Sequence, residues 1–240
     1  MRAIQALFVK QLCDLPKNMS ITIMFITFPV VSWVIGGFVG TEDPITAAVM
    51  NIQFAMIFVG MTPMVLLANT IAEDNEYKSL RFLMMAGVKP TQYLAGLLSF
   101  TVLMSVLPIL AFALIGGLSG QTLAAFMALG LLGALASAIL GAVIGLFSKN
   151  VQQCAALYTP FMMILSFVPF LSVFNETVET VGFVVFTQQI FMSLIYMVVG
   201  PEAQAPSFVS VPVSLAIIGA NCLVFAILFA LAYRKKGLRG

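Results

Sequence analysis

Long stretches without charge are the feature that most restricts how this chain can fold. Every residue from 90 to 148 is uncharged, and so is every residue from 44 to 72. A helix needs about 20 mainly apolar residues to cross the hydrocarbon core of a bilayer. Only 8% of the chain is charged, against about 25% in soluble domains, which is too little to cover a surface in water. The sequence therefore predicts an all-α integral membrane protein with a single transmembrane domain over residues 1–240.

Six apolar runs predict six membrane spans. We expect them at about residues 19–39, 47–71, 91–116, 122–147, 154–174 and 208–233. Residues 1–18 precede them and carry apolar side chains at helical spacing. These are Ile4, Leu7, Phe8, Leu12 and Leu15. The pattern predicts an amphipathic helix in the membrane interface, and the alternative is a merely polar leader.

A further uncharged run, at residues 181–199, is also long enough to span, so the charges must decide the topology. With six spans, all 11 Lys and Arg residues fall on one side, and five acids fall on the other. These acids are Glu42, Asp43, Glu176, Glu179 and Glu202. Because bases gather on the cytoplasmic side of membrane proteins, we expect six spans with both termini cytoplasmic. Residues 175–207 then form an external segment whose helical pair re-enters the membrane and breaks around residues 187–189.

The sequence offers no constellation for catalysis or metal binding. The chain has no histidine, no G-x-S-x-G motif and no pair of carboxylates inside an apolar run. Its cysteines, Cys13, Cys154 and Cys222, form no C-x-x-C pair, and none falls in a predicted external loop, so we expect no structural disulfide. No charged residue falls in a predicted span, which disfavours an enzyme and an ion-coupled carrier alike.

Small residues recur every four positions along the fourth predicted span. They are Gly133, Ser137, Gly141 and Gly145. This spacing lets the backbone of another helix approach closely. The sequence leaves two candidates for that helix, one in a second subunit and one in a neighbouring span of the same chain.

Polar side chains without charge mark one face of the second predicted span and one face of the fifth. The candidates on these faces are Asn51, Phe58, Thr62, Asn69, Thr159 and Ser166. Amide and hydroxyl groups are costly against lipid, so both faces should point towards protein or towards a transport pathway. Hydrogen bonds between helices explain these side chains as well as a substrate pathway does.

The densest cluster of charge lies between the second and third spans, in residues 72–92 on the predicted cytoplasmic side. Acids at positions 73, 74 and 76 precede bases at 78 and 81. This order complements the dipole of a helix, and Asp74 and Lys78 have the spacing of an i,i+4 ion pair. With Gly87 to end it, the segment is predicted to be a short amphipathic helix at the cytoplasmic surface. It can serve as an interface anchor or as a contact surface for a partner.

This segment and the predicted architecture resemble the permeases of the ABC type-2 exporter family. In those permeases the second span ends in an acidic residue, followed by a segment similar to E-x-x-x-G-T-L-x-x-L-x-x-x-P-V. Here Glu73 is followed by EYKSLRFL at residues 76–83 and AGVKP at residues 86–90. Lys78 stands at the usual Gly position and Gly87 at the usual Pro position. The interfacial helix, the six spans and the re-entrant pair before the last span also match the family.

The resemblance implies that residues 72–92 form a coupling helix seated in a cleft of a separate cytoplasmic ABC ATPase. The chain has no G-x-x-x-x-G-K-[ST] motif with which to hold a nucleotide itself, so two ATPase copies would carry the ATP and Mg. A second permease, identical or a sister chain, would complete the assembly, and spans two and five would line the pathway between the permeases. The residues that the resemblance assigns to coupling are Glu73, Asp74, Tyr77, Lys78, Leu80, Arg81 and Leu83.

The hypothesis from the sequence is a half-permease of an ABC exporter in the cell (inner or cytoplasmic) membrane, with no cofactor, catalytic residue or nucleic-acid partner of its own. The chain has 15 Met and 21 Phe residues, whose adaptable apolar surface suits a hydrophobic or amphipathic substrate. We expect peptides, including antimicrobial ones, ahead of lipids or drugs. The alternative is an ion-coupled secondary transporter or a channel that works without an ATPase.

Overall fold

The computed structural model describes residues 8–13, 19–39, 44–79, 82, 85, 87–198, 200 and 210–237. The regular structure among these residues is all α-helical. We label the helices α1 (residues 8–13), α2 (Met19–Val39), α3 (Pro44–Glu76), α4 (Pro90–Ile115), α5 (Gly120–Phe147), α6 (Val151–Ser172), α7 (Glu176–Gly182), α8 (Phe186–Val198) and α9 (Val211–Gly237). The all-helical fold predicted from the sequence is confirmed, and each predicted span coincides with a helix. Of the predicted interfacial helix, Ile4, Leu7 and Leu15 lie outside the described residues.

Five of the described helices, α3, α4, α5, α6 and α9, are long and apolar enough to cross a bilayer. The pair α7 and α8 adds a sixth if the two are counted as one span, although their axes meet at 114°. Helix α2 has 21 residues, and its described apolar stretch Ile23–Phe38 is shorter than a full span. By length and composition, the described part of the chain therefore holds five or six spans, and the sides on which its termini lie remain predictions.

Helix α3 is the central element of the bundle. It packs against α2, α4, α5, α6 and α8, and 78% of its most apolar window is buried inside the protein, against 11% for α9. Its 33 residues make it about 50 Å long, whereas the hydrocarbon core is about 30 Å thick. The helix therefore extends beyond the membrane, and it ends at Glu76 rather than at the predicted Ile71.

The stripe of small residues on α5 lies against α3. A Cβ atom added to Gly145 would come within 2.7 Å of the Ala68 carbonyl oxygen, and one added to Gly141 would collide with the Met64 backbone. A Cβ added to Gly133 would meet the Val59 side chain. Between these glycines, Ser137 Oγ donates a hydrogen bond to the Val59 carbonyl oxygen at 2.5 Å. In this structure, the helix that approaches the stripe is therefore a neighbour in the same chain.

The bent pair α7 and α8 breaks earlier than predicted. The break falls at residues 183–185, so Thr187 and Gln189 belong to the first turn of α8 and the predicted break at 187–189 is wrong. Thr187 Oγ1 donates to the Leu165 carbonyl oxygen at 2.7 Å, and Gln189 Nε2 donates to the Phe183 carbonyl oxygen at 2.6 Å. These polar side chains supply partners for one backbone carbonyl in α6 and one at the break, because such groups are costly when left unpaired.

Candidate functional site

Asp74, in the last turn of α3, lies at the centre of a group of hydrogen bonds that we call the Asp74 cluster. Its carboxylate accepts from Lys10 Nζ of α1 at 2.8 Å, from Ser79 Oγ at 2.7 Å and from the Tyr93 hydroxyl of α4 at 2.7 Å. Asp74 and Tyr93 are both buried. A buried carboxylate is stable only when it is paired and hydrogen-bonded. The cluster therefore holds three separate segments of the chain, α1, α4 and the residues after α3, to one side chain.

The next two residues fasten α3 to the junction between α5 and α6. Asn75 Nδ2 donates to the carbonyl oxygens of Gly145 at 2.9 Å and Ser148 at 3.1 Å. Glu76 Oε2 accepts from the backbone N–H of Val151 at 3.3 Å. Val151 is the first residue of α6, and a carboxylate near the N-terminus of a helix is stabilised by the helix dipole. The end of α3 is thus attached to four other helices.

The residues that follow α3 face outwards. Lys78 has a φ angle of 59°, a left-handed conformation that is uncommon for residues other than glycine, and it marks the point where the chain leaves the helix. Around it, three large apolar side chains are exposed: Tyr77, just before Lys78, by 77%, and Phe82 and Met85, after it, by 64% and 66%. We call the described residues of the connection from 77 to 85, which are 77–79, 82 and 85, the exposed loop; Ser79, Phe82 and Met85 in it have helical backbone. Leu80, Arg81 and Leu83 of the same connection, which the resemblance assigned to coupling, lie outside the described residues.

The predicted dipole arrangement of the charged segment is wrong. Glu73, Asp74 and Glu76 belong to the last turn of α3 rather than to the first turn of a short helix. Asp74 pairs with Lys10 rather than with Lys78, because the helix ends between them. Acids at the C-terminus of a helix are disfavoured by its dipole. Here the ammonium group of Lys10 compensates Asp74, and the N-terminus of α6 compensates Glu76.

Sequence reasoning missed Lys10, Asn75 and Tyr93. Lys10 and Asp74 are separated by 64 positions, so no local pattern could connect them. Tyr93 follows Thr91 and Gln92 in the first turn of an apolar helix, and its position gives only a weak signal on its own. The three residues share one function in the fold, since each joins the end of α3 to another element.

The predicted pathway residues of α3 lie inside the bundle. Asn51 accepts from Ser32 Oγ of α2 at 2.7 Å and donates through Nδ2 to the Phe112 carbonyl oxygen of α4 at 2.9 Å. Phe58 is fully buried in an aromatic group, with ring centroids 5.6 Å from Phe25 and 5.9 Å from Phe112. Thr62 is buried, and its hydroxyl has no partner among the described residues. Asn51 and Phe58 therefore pack α2, α3 and α4 together.

The remaining pathway candidates differ from one another in exposure. Asn69 is half-buried, near the end of α3. On α6, Ser166 is buried and donates to the Ile57 carbonyl oxygen of α3 at 3.4 Å. Thr159 is exposed on the same helix, and its hydroxyl donates to the Ala155 carbonyl oxygen at 2.6 Å. The six candidates do not form one surface, and Thr159 is the only exposed residue of the six.

The described residues show no arrangement suited to metal chemistry. Among them, no group of three His, Cys, Asp or Glu side chains is placed to hold an ion. Cys13, Cys154 and Cys222 are free thiols. The contacts that the structure shows at the end of α3 are an ion pair and hydrogen bonds.

Comparison with known families identifies the kind of protein that this bundle belongs to. The family model for ABC-2 family transporter proteins matches residues 45–234, from the start of α3 to near the end of α9. The chain belongs to the ABC-2 transporter family. No curated protein matches the sequence. As an ABC-2 permease component, it is a multi-pass membrane transport subunit rather than a catalytic one, and permeases of this family usually work with an ABC ATPase partner.

Proposed function

We propose that this chain is the half-permease of an ABC exporter and couples ATP hydrolysis on a separate cytoplasmic subunit to outward transport. The observation that carries the proposal is the division of the charged segment into two parts. Asp74, Asn75 and Glu76 are fastened to α1, α4, α5 and α6. The exposed loop that follows presents Tyr77, Phe82 and Met85 to solvent. A segment with one part anchored in the bundle and the other open to contact is suited to receive force from a partner.

The exposed loop has the composition of an interface. Tyr, Phe and Met are enriched where proteins meet, and charged residues gather at the rim. Exposed Lys78 and Lys89 flank the apolar side chains at the surface. We propose that the loop enters a cleft of an ABC ATPase, of which two copies carry the ATP and Mg. Glu73, Asp74, Tyr77 and Lys78, with Leu80, Arg81 and Leu83, form the coupling segment.

Helix α3 is the route by which movement of the loop reaches the membrane. It is one continuous helix of 33 residues, and the glycines of α5 let the two helices approach closely over residues 59–71. Closely packed elements of this kind transmit displacement rather than absorb it. A shift of the loop would therefore move α3 and α5 together.

The substrate pathway is proposed along the outer face of α6 rather than along α3. Phe161, Met163, Ile164 and Phe167 are exposed there together with Thr159. A second permease, identical or a sister chain, would enclose this face. Aromatic and methionine side chains adapt to varied apolar shapes, which supports a hydrophobic or amphipathic substrate, most of all peptides, and a place in the cell membrane.

The proposal is tested by replacing the exposed apolar side chains and measuring two quantities, the binding of an ABC ATPase and the transport that it drives. We expect an ABC ATPase to co-purify with the native chain and to dissociate when Tyr77→Ser and Phe82→Ser are combined. Each buried aromatic anchor in an interface contributes about 2 kcal/mol or more, so the double change should weaken the complex by about 1,000-fold.

The matched control is Val181→Ser, which removes an exposed apolar side chain from α7 on the predicted opposite side of the membrane. It should leave the complex intact. Transport that continues in the double variant with no ATPase bound would contradict the proposal and point to an ion-coupled transporter or a channel.

A further inference from the structure

Helix α1 lies outside the residues that the ABC-2 family model matches, yet it is fastened to the bundle at two levels. Lys10 Nζ reaches Asp74 at the end of α3. The Phe8 ring lies edge-on against the Phe100 ring of α4, with centroids 6.0 Å apart. Gln11 is also buried, whereas Val9 is exposed. Helix α1 therefore has a defined inner face that docks on α3 and α4.

The ion pair within this dock is asymmetric. The Lys10 side chain is 43% exposed, whereas the Asp74 side chain is only 4% exposed. Lys10 could exchange its partner for water at small cost. Asp74 could not, because its other donors, the hydroxyls of Ser79 and Tyr93, carry no charge and the C-terminus of α3 adds negative potential. The buried carboxylate therefore depends on α1 being in place.

The same carboxylate also binds the start of the exposed loop. Ser79 Oγ donates to Asp74 Oδ1 at 2.7 Å and to the Asp74 carbonyl oxygen at 3.1 Å. The Tyr93 hydroxyl occupies the second carboxylate oxygen at 2.7 Å. The Tyr93 ring in turn packs against the Tyr233 ring of α9 at an angle of 41°, with centroids 6.1 Å apart. One side chain thus connects the loop with α1, with α4 and, through Tyr93, with α9.

We propose that Asp74 is a positioning residue that joins α1 to the exposed loop through Lys10 and Ser79, so that the two move as one body when the loop is displaced. The inference rests on the proposed function in one respect, which is that an ATPase displaces the loop. The docking of α1 is a property of the permease alone. It assigns to Lys10, a residue outside the family match, a role in transmitting movement from the loop to the N-terminal helix.

The first experiment measures the docking of α1 on the purified full-length permease. A single reporter thiol is placed by Gln11→Cys in a background with Cys13→Ser, Cys154→Ala and Cys222→Ala, and its rate of reaction with a water-soluble maleimide is followed. Lys10→Met should raise this rate about tenfold, which corresponds to a lost attachment of about 1.4 kcal/mol. Lys10→Arg should retain the native rate.

Two further variants separate docking from general loss of structure. Lys10→Met leaves Asp74 buried without a cation, so the combination Lys10→Met with Asp74→Asn removes both charges and should restore the melting temperature while the thiol stays reactive. Lys149→Met, which removes another exposed base near the end of α3, should change neither quantity. A thiol that stays protected in the folded double variant would overturn the inference.

The second experiment uses the permease assembled with its ATPase. Lys10→Met alone should still bind the ATPase, since the exposed loop is unchanged, but should transport less substrate per ATP hydrolysed than the native chain or Lys10→Arg. An unchanged transport ratio would overturn the role in transmission. Failure of any ATPase to bind the native chain would instead overturn the proposed function, and the labelling result on the permease alone would stand apart from it.

Discussion

The close contact between α3 and α5, which we call the seam, can be tested by adding one methyl group and measuring the change in stability. In Gly145→Ala, the added Cβ would lie 2.7 Å from the Ala68 carbonyl oxygen and 2.8 Å from the Ile71 Cβ, whereas ordinary contacts begin at 3.4 Å. The first of these atoms is backbone of a helix that is itself packed on several sides, so it cannot rotate away. The two helices must therefore separate.

Overfilling a packed interior costs about 1–3 kcal/mol. Exchanging glycine for alanine within a helix gains at most about 1 kcal/mol, which offsets part of that cost. Gly219→Ala on α9 supplies the matched control, because a Cβ added there meets nothing within 4 Å. The gain is common to both variants. The difference in unfolding free energy between them should therefore be about 1–3 kcal/mol, with Gly145→Ala the less stable.

The unfolding of both variants can be followed through a native thiol. Cys154 is buried, so a thiol-reactive fluorophore should label it only when the bundle opens, once the exposed Cys13 is replaced by Ser and the half-buried Cys222 by Ala. Equal unfolding midpoints for Gly145→Ala and Gly219→Ala would show that α3 and α5 accommodate the added methyl group with no loss of stability. The description of these helices as a closely packed pair would then be wrong.

Three further changes probe the hydrogen bonds that hold the bundle. Asn51→Leu leaves the Ser32 hydroxyl buried without its acceptor and should lower the unfolding free energy by about 1–3 kcal/mol; no loss in the thiol assay would contradict the bonding described. Gln189→Leu removes the acceptor of Ser214 Oγ and should speed hydrogen exchange in α8, while unchanged exchange would refute its role in attaching α8 to α9. Asn75→Ala loses two bonds to backbone carbonyls and should cost about 1–3 kcal/mol. Combined with Gly145→Ala, its loss should be smaller than additive, because the two changes disturb one contact.

The positions of the helices could be predicted because they follow from local composition. Uncharged runs such as residues 122–147 have one stable form in a bilayer, a helix that satisfies its own backbone, and α5 spans Gly120–Phe147 accordingly. The end of α3 could not be predicted in the same way. Its acids lie in a helical turn only because Lys10 and the start of α6 compensate them. Those partners come from distant parts of the sequence.

The packing partners of the helix faces inside the bundle could not be predicted from the sequence either. Asn51 and Thr62 have the helical spacing of a polar pathway, but spacing alone does not tell which helix a face will meet. In the fold, Asn51 meets Ser32 and the Phe112 carbonyl oxygen, and Phe58 meets other rings. The spacing of the glycines on α5 correctly predicted that another helix packs closely there. It did not tell which helix, and in the structure that helix is α3.

Lys78 departs from the sequence pattern that the chain resembles, and it stands at a left-handed turn of the backbone. Glycine is the usual residue at this position, and the φ angle of 59° is one that glycine adopts freely, whereas a lysine loses about 1–2 kcal/mol there. The Ser79 hydroxyl, whose one proton is shared between the Asp74 carboxylate and carbonyl oxygens, offsets part of this loss and holds the turn. The chain therefore carries a charged side chain at a position whose backbone conformation favours glycine. The turn is rigid, and it presents the Lys78 ammonium group at the surface.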